Sequence, residues 1–283
     1  MSTVRPAITD PARVIASPSP SAPARHAQDA PGENTERLWS RDDVYSEALR
    51  TGDGPLFLRR TDGWLLPLEI ERWCAAADAT DLAVLHRCEG SVLDVGCGPG
   101  RLVSALATQG RRSLGIDVSE AAVARTRRFG GPALQRSVFE PLPAEGRWGT
   151  VLLIDGNIGI GGDPCALLHR VGQLLRPGGL LVAETAPADI DERVTVRIVP
   201  APGVTRREER AGAGSHDTAD LRKGSAFPWA RLGTTALLRH AAHAGWLPCD
   251  QWTDGGRCFV SLRTRTNSSS AETPNSTAVI SSQ

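Results

Sequence analysis

Gly96, Gly98 and Gly100 alternate over five residues, and a carboxylate, Asp117, follows twenty-one residues after the first of them. Each residue type has a chemical use. Glycines permit positive φ and let backbone amides come close to a ligand. A carboxylate at the tip of the next strand accepts hydrogen bonds from both hydroxyls of a ribose. The set describes a site for a nucleotide-type cofactor. A tight strand-to-helix connection that binds nothing uses the same residues, so spacing alone leaves that reading open.

The flanking residues supply the elements that position such a loop. Val92, Leu93 and Val95 before it have the apolar, β-branched character of a strand covered on both faces. Behind it, residues 101–109 place Leu102, Val103 and Leu106 on one helical face, and Gly110 is a natural stop. The glycines therefore sit at a helix N-terminus, whose free N–H groups favour an anionic group. Residues 113–117 predict a second strand, Ser119 and Glu120 open a helix over 121–129, and residues 133–139 predict a third strand. Residues 150–155 predict a buried fourth strand that runs into a glycine-rich stretch, 156–162. Asp163 is placed to cap a helix with Pro164 at its first position and Leu167, Leu168, Val171, Leu174 and Leu175 at helical spacing. Residues 175–179 close that helix and 180–184 predict a fifth strand; Thr234 is placed to cap a helix over 236–244, followed by extended segments 247–252 and 257–263. Strand and helix alternate as in a doubly wound α/β sheet.

At the loop itself, Asp94-Val95-Gly96-Cys97-Gly98-Pro99-Gly100 resembles the first motif of the class I, Rossmann-like S-adenosylmethionine-dependent methyltransferases. Its pattern is G-x-G-x-G, whereas a dinucleotide fingerprint is G-x-G-x-x-G with a third glycine set for a pyrophosphate. S-adenosylmethionine carries no phosphate. The turn Pro177-Gly178-Gly179 before the fifth strand is also similar to the family. The resemblance implies a mostly parallel seven-stranded sheet with an antiparallel last strand, helices on both faces, and S-adenosyl-L-methionine as cofactor. It further implies cofactor contacts from Asp94, Gly96, Cys97, Gly98, Gly100, Asp117 and Val118, adenine contacts near Ser137, Val138 and Phe139, and an ammonium anchor at Asp155.

Along the chain, residues 1–33 are rich in Ala, Pro and Ser and cannot offset an ordering entropy of ~1–2 kcal/mol per residue. A disordered tail is expected there, and another over 265–283. Residues 34–90 form an N-terminal helical or cap segment, with a helix suggested by Leu38, Trp39, Val44, Tyr45 and Leu49, short extended pieces at 55–58 and 64–66, and helices at 70–74 and 81–85. Trp39, Tyr45 and Trp73 either pack helices onto the sheet or line a pocket. The methyltransferase domain takes 91–264 and is interrupted at about 186–232 by an insertion, in which a hairpin of 194–199 against 204–209 is predicted. Arg206, Arg207 and Arg210, with Phe227 and Trp229, make this insertion a candidate substrate cap.

A net charge of zero among 283 residues gives no bulk attraction to nucleic acid or to a membrane surface. Lys223 is the only lysine, an arginine bias expected of a GC-rich, bacterial genome. The six cysteines form no C-x-x-C pair and no zinc spacing, so reduced thiols, no metal and a cytoplasmic location are expected. No apolar run reaches the ~18 residues of a membrane span, and no signal-peptide core opens the sequence.

Methyl transfer is an in-line displacement in which positioning does most of the work, and a general base is needed only for a protonated acceptor. Strand-end candidates for that base are Asp155, Asn157 and Glu184, with His216 in the insertion. The N/D-P-P-Y/F signature of nucleobase and glutamine-amide methylation is absent after the fourth strand, where Asp155-Gly156-Asn157-Ile158 stands. The expected function is methylation of a small molecule, O-methylation preferred, with a non-catalytic S-adenosylmethionine binder and an NAD-dependent oxidoreductase as alternatives. Oligomeric state is left open.

Overall fold

The structure, a computed structural model, describes residues 43–201 and 225–265. Its large sheet has seven strands: β3 (Val92–Val95), β4 (Ser113–Asp117), β5 (Ala133–Gln135), β6 (Trp148–Leu153), β7 (Leu175–Thr185), β10 (Leu247–Asp254) and β11 (Arg257–Arg263). They lie in the order β10-β11-β7-β6-β3-β4-β5. The pairs β5/β4, β4/β3, β3/β6 and β6/β7 are parallel, and β11 runs antiparallel between β7 and β10. This is the seven-stranded, mostly parallel arrangement that the resemblance implies.

Period-2 alternation divides the sheet residues between two cores. Val151 and Leu153 of β6, Leu181 and Ala183 of β7, and Val260 and Leu262 of β11 face one side. There they meet Leu167, Leu168, Val171 and Leu174 of α6 (Pro164–Leu174) and Leu237 and Ala241 of α7 (Thr234–His243). Leu152, Ile154, Leu180, Val182 and Phe259 face the other. They pack on Val84 and Leu85 of α3 (Ala79–His86) and on Leu102 and Leu106 of α4 (Arg101–Thr108). Helix α5 (Glu120–Arg128) follows β4, with the Ser119 hydroxyl accepting from the Ala122 amide as its cap.

A second sheet of four antiparallel strands, ordered β2-β1-β8-β9, joins the N-terminal segment to the insertion. It comprises β1 (Leu56–Arg60), β2 (Leu65–Leu68), β8 (Asp191–Pro200) and β9 (Phe227–Leu232). Leu58 pairs with Ile198 and Leu56 with Pro200, so Leu56, Leu58, Val196 and Ile198 bury one common face. That face rests on Tyr45 and Leu49 of α1 (Val44–Thr51), Ile70 of α2 (Ile70–Cys74) and Ala122 of α5. Strand β9 serves both layers. Phe227 and Trp229 pack on this cluster, whereas Leu232 enters the core of the large sheet.

The structure revises four sequence expectations. Segment 194–199 does lie in a strand, but that strand pairs with β1 and β9, and 204–209 lies outside the described residues. The third strand stops at Gln135, because side chains capture the next amides: Ser137 N donates to Glu140 Oε2 at 2.6 Å and Phe139 N to Ser137 Oγ at 3.3 Å. The helix does end at Leu174, with Leu175 as its C-cap, but residues 176–179 are not a turn ahead of the fifth strand; they bulge within β7, opposite Gly149, between the pairs Trp148–Leu175 and Thr150–Leu180. Thr234 begins its helix without capping it, since Gly233 is the N-cap and the Thr234 hydroxyl is bonded to that of Thr185 at 2.9 Å. The proposed tails, apart from residue 265, fall outside the described residues, as do Trp39, His216 and the Arg206, Arg207 and Arg210 cluster.

Candidate active site

Strand order reverses between β3 and β6, and the carboxyl ends of strands at such a switch point form the ligand crevice of an open α/β sheet. The glycine loop leaves β3 at this point. Gly96 N and Cys97 N both donate to Ile116 O of β4, at 2.9 and 3.0 Å, and Thr126 Oγ1 donates to Gly98 O at 3.0 Å. From the loop after β6, Asn157 Nδ2 donates to Val95 O and to Gly96 O, each at 2.9 Å. Its side chain occupies the space a Cβ at Gly96 would take, 2.7 Å from the nearest atom. Gly98, at φ +52°, has no neighbour within 4 Å of the same position and opens onto free space.

Asp117 ends β4 facing this opening. One carboxylate oxygen accepts from Gly98 N at 2.9 Å and the other from Ser119 N at 2.8 Å. Burial raises its pKa, and the amides of Ser119, Gly98 and Val118 pull it back. Each oxygen keeps a second acceptor position. Asp94, 2% exposed, receives no hydrogen bond from the described residues. Burial above all, then the charges of Asp155 and Asp117, pushes its carboxyl up to about 8. Tyr45 of α1 is buried beside the same groups; burial and then the nearby Asp117 and Cys97 raise its pKa well above the ordinary range.

The remaining proposed cofactor positions border this loop. Cys97 is buried with its thiol against Gly98 O at 3.7 Å, and Val118 O accepts from Gln135 Nε2 at 3.2 Å. Ser137, Val138 and Phe139 form the turn after β5. Val138 is buried and its carbonyl is held by Arg170 Nε at 2.8 Å; the Phe139 ring is exposed on one side and packs against Gly161.

Asp155 lies just beyond β6 at φ +58°, at the centre of an ion network. Its carboxylate meets Arg72, Arg101 (2.6 Å) and Arg257 (3.4 Å), and its amide donates to Glu184 Oε2 at 2.8 Å. Arg101 also bonds Asp81, and Arg257 bridges Asp81 at 2.8 Å and Glu184 at 3.0 and 2.7 Å. Burial lowers the Arg101 pKa, Asp155 opposes that, and Arg72 and Arg257 add to it. Asp155 and Glu184 are therefore spent on guanidiniums, and both N–H groups of Asn157 on backbone carbonyls. None of the three is poised to take a proton. Arg72, Asp81, Arg101 and Arg257 had no motif to announce them; the only signal in the sequence was Arg101 at the N-terminus of a helix, where a cation opposes the macrodipole and requires acids nearby. On α2, Arg72 Nη1 and Trp73 Nε1 are buried without a hydrogen-bond partner.

A family described as "Methyltransferase domain" matches residues 68–232, more than half of the chain. A ubiquinone biosynthesis O-methyltransferase of Azotobacter vinelandii is 36% identical over 101 residues, covering 33% of this chain and 43% of that protein. The match thus spans under half the length of the relative. A solved S-adenosylmethionine-dependent methyltransferase of Bacteroides fragilis, in complex with S-adenosyl-L-homocysteine, superposes with a TM-score of 0.60 at 17% identity, over 78% of this chain and 92% of that one. A sugar N-methyltransferase from Streptoalloteichus sp ATCC 53650 gives a TM-score of 0.45 at 20% identity, over 68% and 88% of the two chains. The chain belongs to the methyltransferase-domain family, in its class I, S-adenosylmethionine-dependent form.

Two predictions test this geometry. Because the folded Asp94 carboxyl titrates near 8 against an ordinary 3.8, the folded state holds the extra proton between those values and loses stability as pH rises through them. Asp94→Asn removes that dependence. Its melting temperature relative to wild type should climb from pH 5 to pH 8, whereas a flat difference would show an ordinarily ionised Asp94. Arg101→Leu leaves Asp81, 1% exposed, with one guanidinium fewer and should destabilise by about 3–5 kcal/mol in urea unfolding. Adding Asp81→Leu should recover part of that loss; simple additivity of the two changes would contradict the coupling.

Proposed function

We propose that the protein methylates the oxygen of a small acidic acceptor, using S-adenosylmethionine. The observation that carries this reading is the loop at Gly98, open to a ligand and bonded through its amide to Asp117. The groups around it fit the cofactor. Asp117 has free acceptor positions for two ribose hydroxyls, the turn at Ser137, Val138 and Phe139 offers a place for the adenine, and Asp94 is a buried carboxyl without a partner beside a site for a cationic ligand. When bound, the cofactor supplies an electrophilic methyl group. The chain's own part is to hold the acceptor in line and keep water out.

For the acceptor we infer a place between the glycine loop and the small sheet. Phe227 and Trp229 stack edge-to-face there, with centroids 6.1 Å apart, on the cluster that includes Tyr45 and Trp73. Asp155, Glu184 and Asn157 are committed elsewhere, so the described strand ends offer no base. An acceptor that is already ionised needs none, and the buried, unpartnered N–H groups of Arg72 and Trp73 are donors an oxyanion would satisfy. The 36% identical O-methyltransferase supports oxygen over nitrogen. The absence of a free base also favours a second reading, a non-catalytic S-adenosylmethionine binder.

Calorimetry should show S-adenosylhomocysteine binding and no binding of NAD, with Asp117→Ala weakening the former at least tenfold, since each charge-assisted bond is worth ~1.5–3 kcal/mol. With methyl-labelled cofactor and a panel of acidic phenols and aliphatic amines, label should pass to the phenols, and Arg72→Ala should lower kcat/KM while leaving cofactor affinity within a few-fold. Transfer to amines alone would refute the oxygen assignment. Binding without transfer to any acceptor in a cell extract would favour the binder.

A further inference from the structure

Away from the glycine loop, three side chains from three elements fall in line. Cys165 Sγ, in the first turn of α6, lies 3.3 Å from His240 Nδ1 of α7. On the other side of the same ring, His240 Nε2 lies 3.1 and 3.0 Å from the two carboxylate oxygens of Asp191, at the start of β8. Arg239 holds Asp191 as well, at 2.9 Å. The hydrogen bond from His240, against a small opposing effect of burial and with help from Arg239, lowers the Asp191 pKa, so it is an acceptor only at neutral pH.

The consequence for the ring follows from valence. An ionised Asp191 fixes the proton on Nε2, which leaves the lone pair of Nδ1 facing the thiol. The imidazole can then take the thiol proton, and the resulting imidazolium is held between a thiolate and a carboxylate. Cys165 and Asp191 sit on opposite ring nitrogens, so the set does not converge on a metal; among the described residues no three such side chains do. Acyl transfer is equally disfavoured. The amides nearest the sulfur, Cys165 N and Ala166 N, already donate to Asp163 Oδ1 at 3.0 and 3.3 Å and cannot serve as an oxyanion hole. What remains is a half-buried thiol facing an oriented imidazole.

We propose that Cys165 is a site of oxidative modification, reacting with hydroperoxides. The thiolate attacks one peroxide oxygen, an S–O bond forms as the O–O bond breaks, and the sulfur is oxidised by two electrons to a sulfenic acid. The peroxide is reduced, and its departing oxygen takes the imidazolium proton from His240 and leaves as water or an alcohol. The product has lost the thiolate that faced His240, and with it one of the contacts between α6, α7 and β8.

The protein supplies its own control. Cys249 is exposed, more so than Cys165, and its sulfur lies 3.7 Å from the carbonyl of Leu247 and beside the guanidinium of Arg263, a cation but not a base. The native full chain, treated with hydrogen peroxide and trapped with dimedone, should by peptide mass spectrometry carry the adduct on Cys165 at least about tenfold faster than on Cys249. His240→Asn should bring Cys165 down to or below the rate of Cys249 without changing Cys249. Equal rates in the wild type, or an unaltered Cys165 rate in a folded His240→Asn variant, would overturn the proposal. Should that variant fail to fold, wild type in urea answers the question: the Cys165 preference should collapse to about parity, and a preference that survives unfolding would assign the reactivity to local sequence instead.

Discussion

Three guanidiniums and three carboxylates, Arg72, Arg101, Arg257, Asp81, Asp155 and Glu184, meet at the carboxyl edge of the large sheet. Asp81 and the Arg101 side chain are almost wholly buried, and an ion of this kind without a partner is penalised by several kcal/mol. The formal charges balance, so the penalty is avoided only when all the bearers are in place. Those bearers are α2, α3, the first residue of α4, the ends of β6 and β7, and the start of β11. No two adjacent members come from the same element. The network therefore acts as a test of assembly, in which the N-terminal segment cannot detach from the sheet without breaking the ion pairs that Arg72 makes with Asp155 and that Asp81 makes with Arg101 and Arg257.

Holding that edge fixes the glycine loop and the loop after β6. Asp155 accepts a left-handed backbone that an aspartate seldom adopts, and three guanidiniums with the Glu184 carboxylate pin it there. The chain is thereby turned so that Asn157, two residues on, reaches the carbonyls of Val95 and Gly96. The Asn157 side chain stands where a larger residue at 96 would stand, which ties the choice of glycine on one loop to the choice of amide on the other. From the opposite side Asp117 grips the Gly98 amide. The glycine loop is thus held at its start by Asn157 and at Gly98 by Asp117 and Thr126, and it is open on the side where a Cβ of Gly98 would stand. Such a loop needs little ordering when a ligand arrives, and that lowers the entropic penalty of binding.

Much of this was legible in the sequence for a simple reason. Residues 151–154, across the end of β6, and 180–183 in β7 are continuous apolar runs that announce a buried strand, and glycine, Asp and Pro-Gly-Gly punctuate the strand ends with local chemistry. What resisted reading was non-local. Nothing in 133–139 said that Ser137 and Glu140 would capture amides that a strand needs. The partner of 194–199 was sought in its own neighbourhood, whereas it came from β1, some 140 residues earlier. Asp155 and Glu184 were credited with acid–base chemistry because strand ends are where such residues work, but their carboxylates are paired with arginines scattered from 72 to 257. An ion network has no spacing rule, and so no local pattern can disclose it.

The small sheet shows how that non-local logic bears on specificity. Its strands come from before β3 and from between β7 and β10, and β9 places Phe227 and Trp229 against one core and Leu232 in another. The loop after β6 is caught between these commitments: Ile160 pairs with Trp229, and Gly159 and Gly162 leave room for its backbone and ring. A change in the aromatic wall therefore presses directly on the loop that carries Asn157, and through it on the glycine turn. The Cys165, His240 and Asp191 contacts secure the far end of the same arrangement, where β8 begins beside α6 and α7. The aromatic face of the small sheet and the glycine turn are mechanically joined in this fold through the loop after β6.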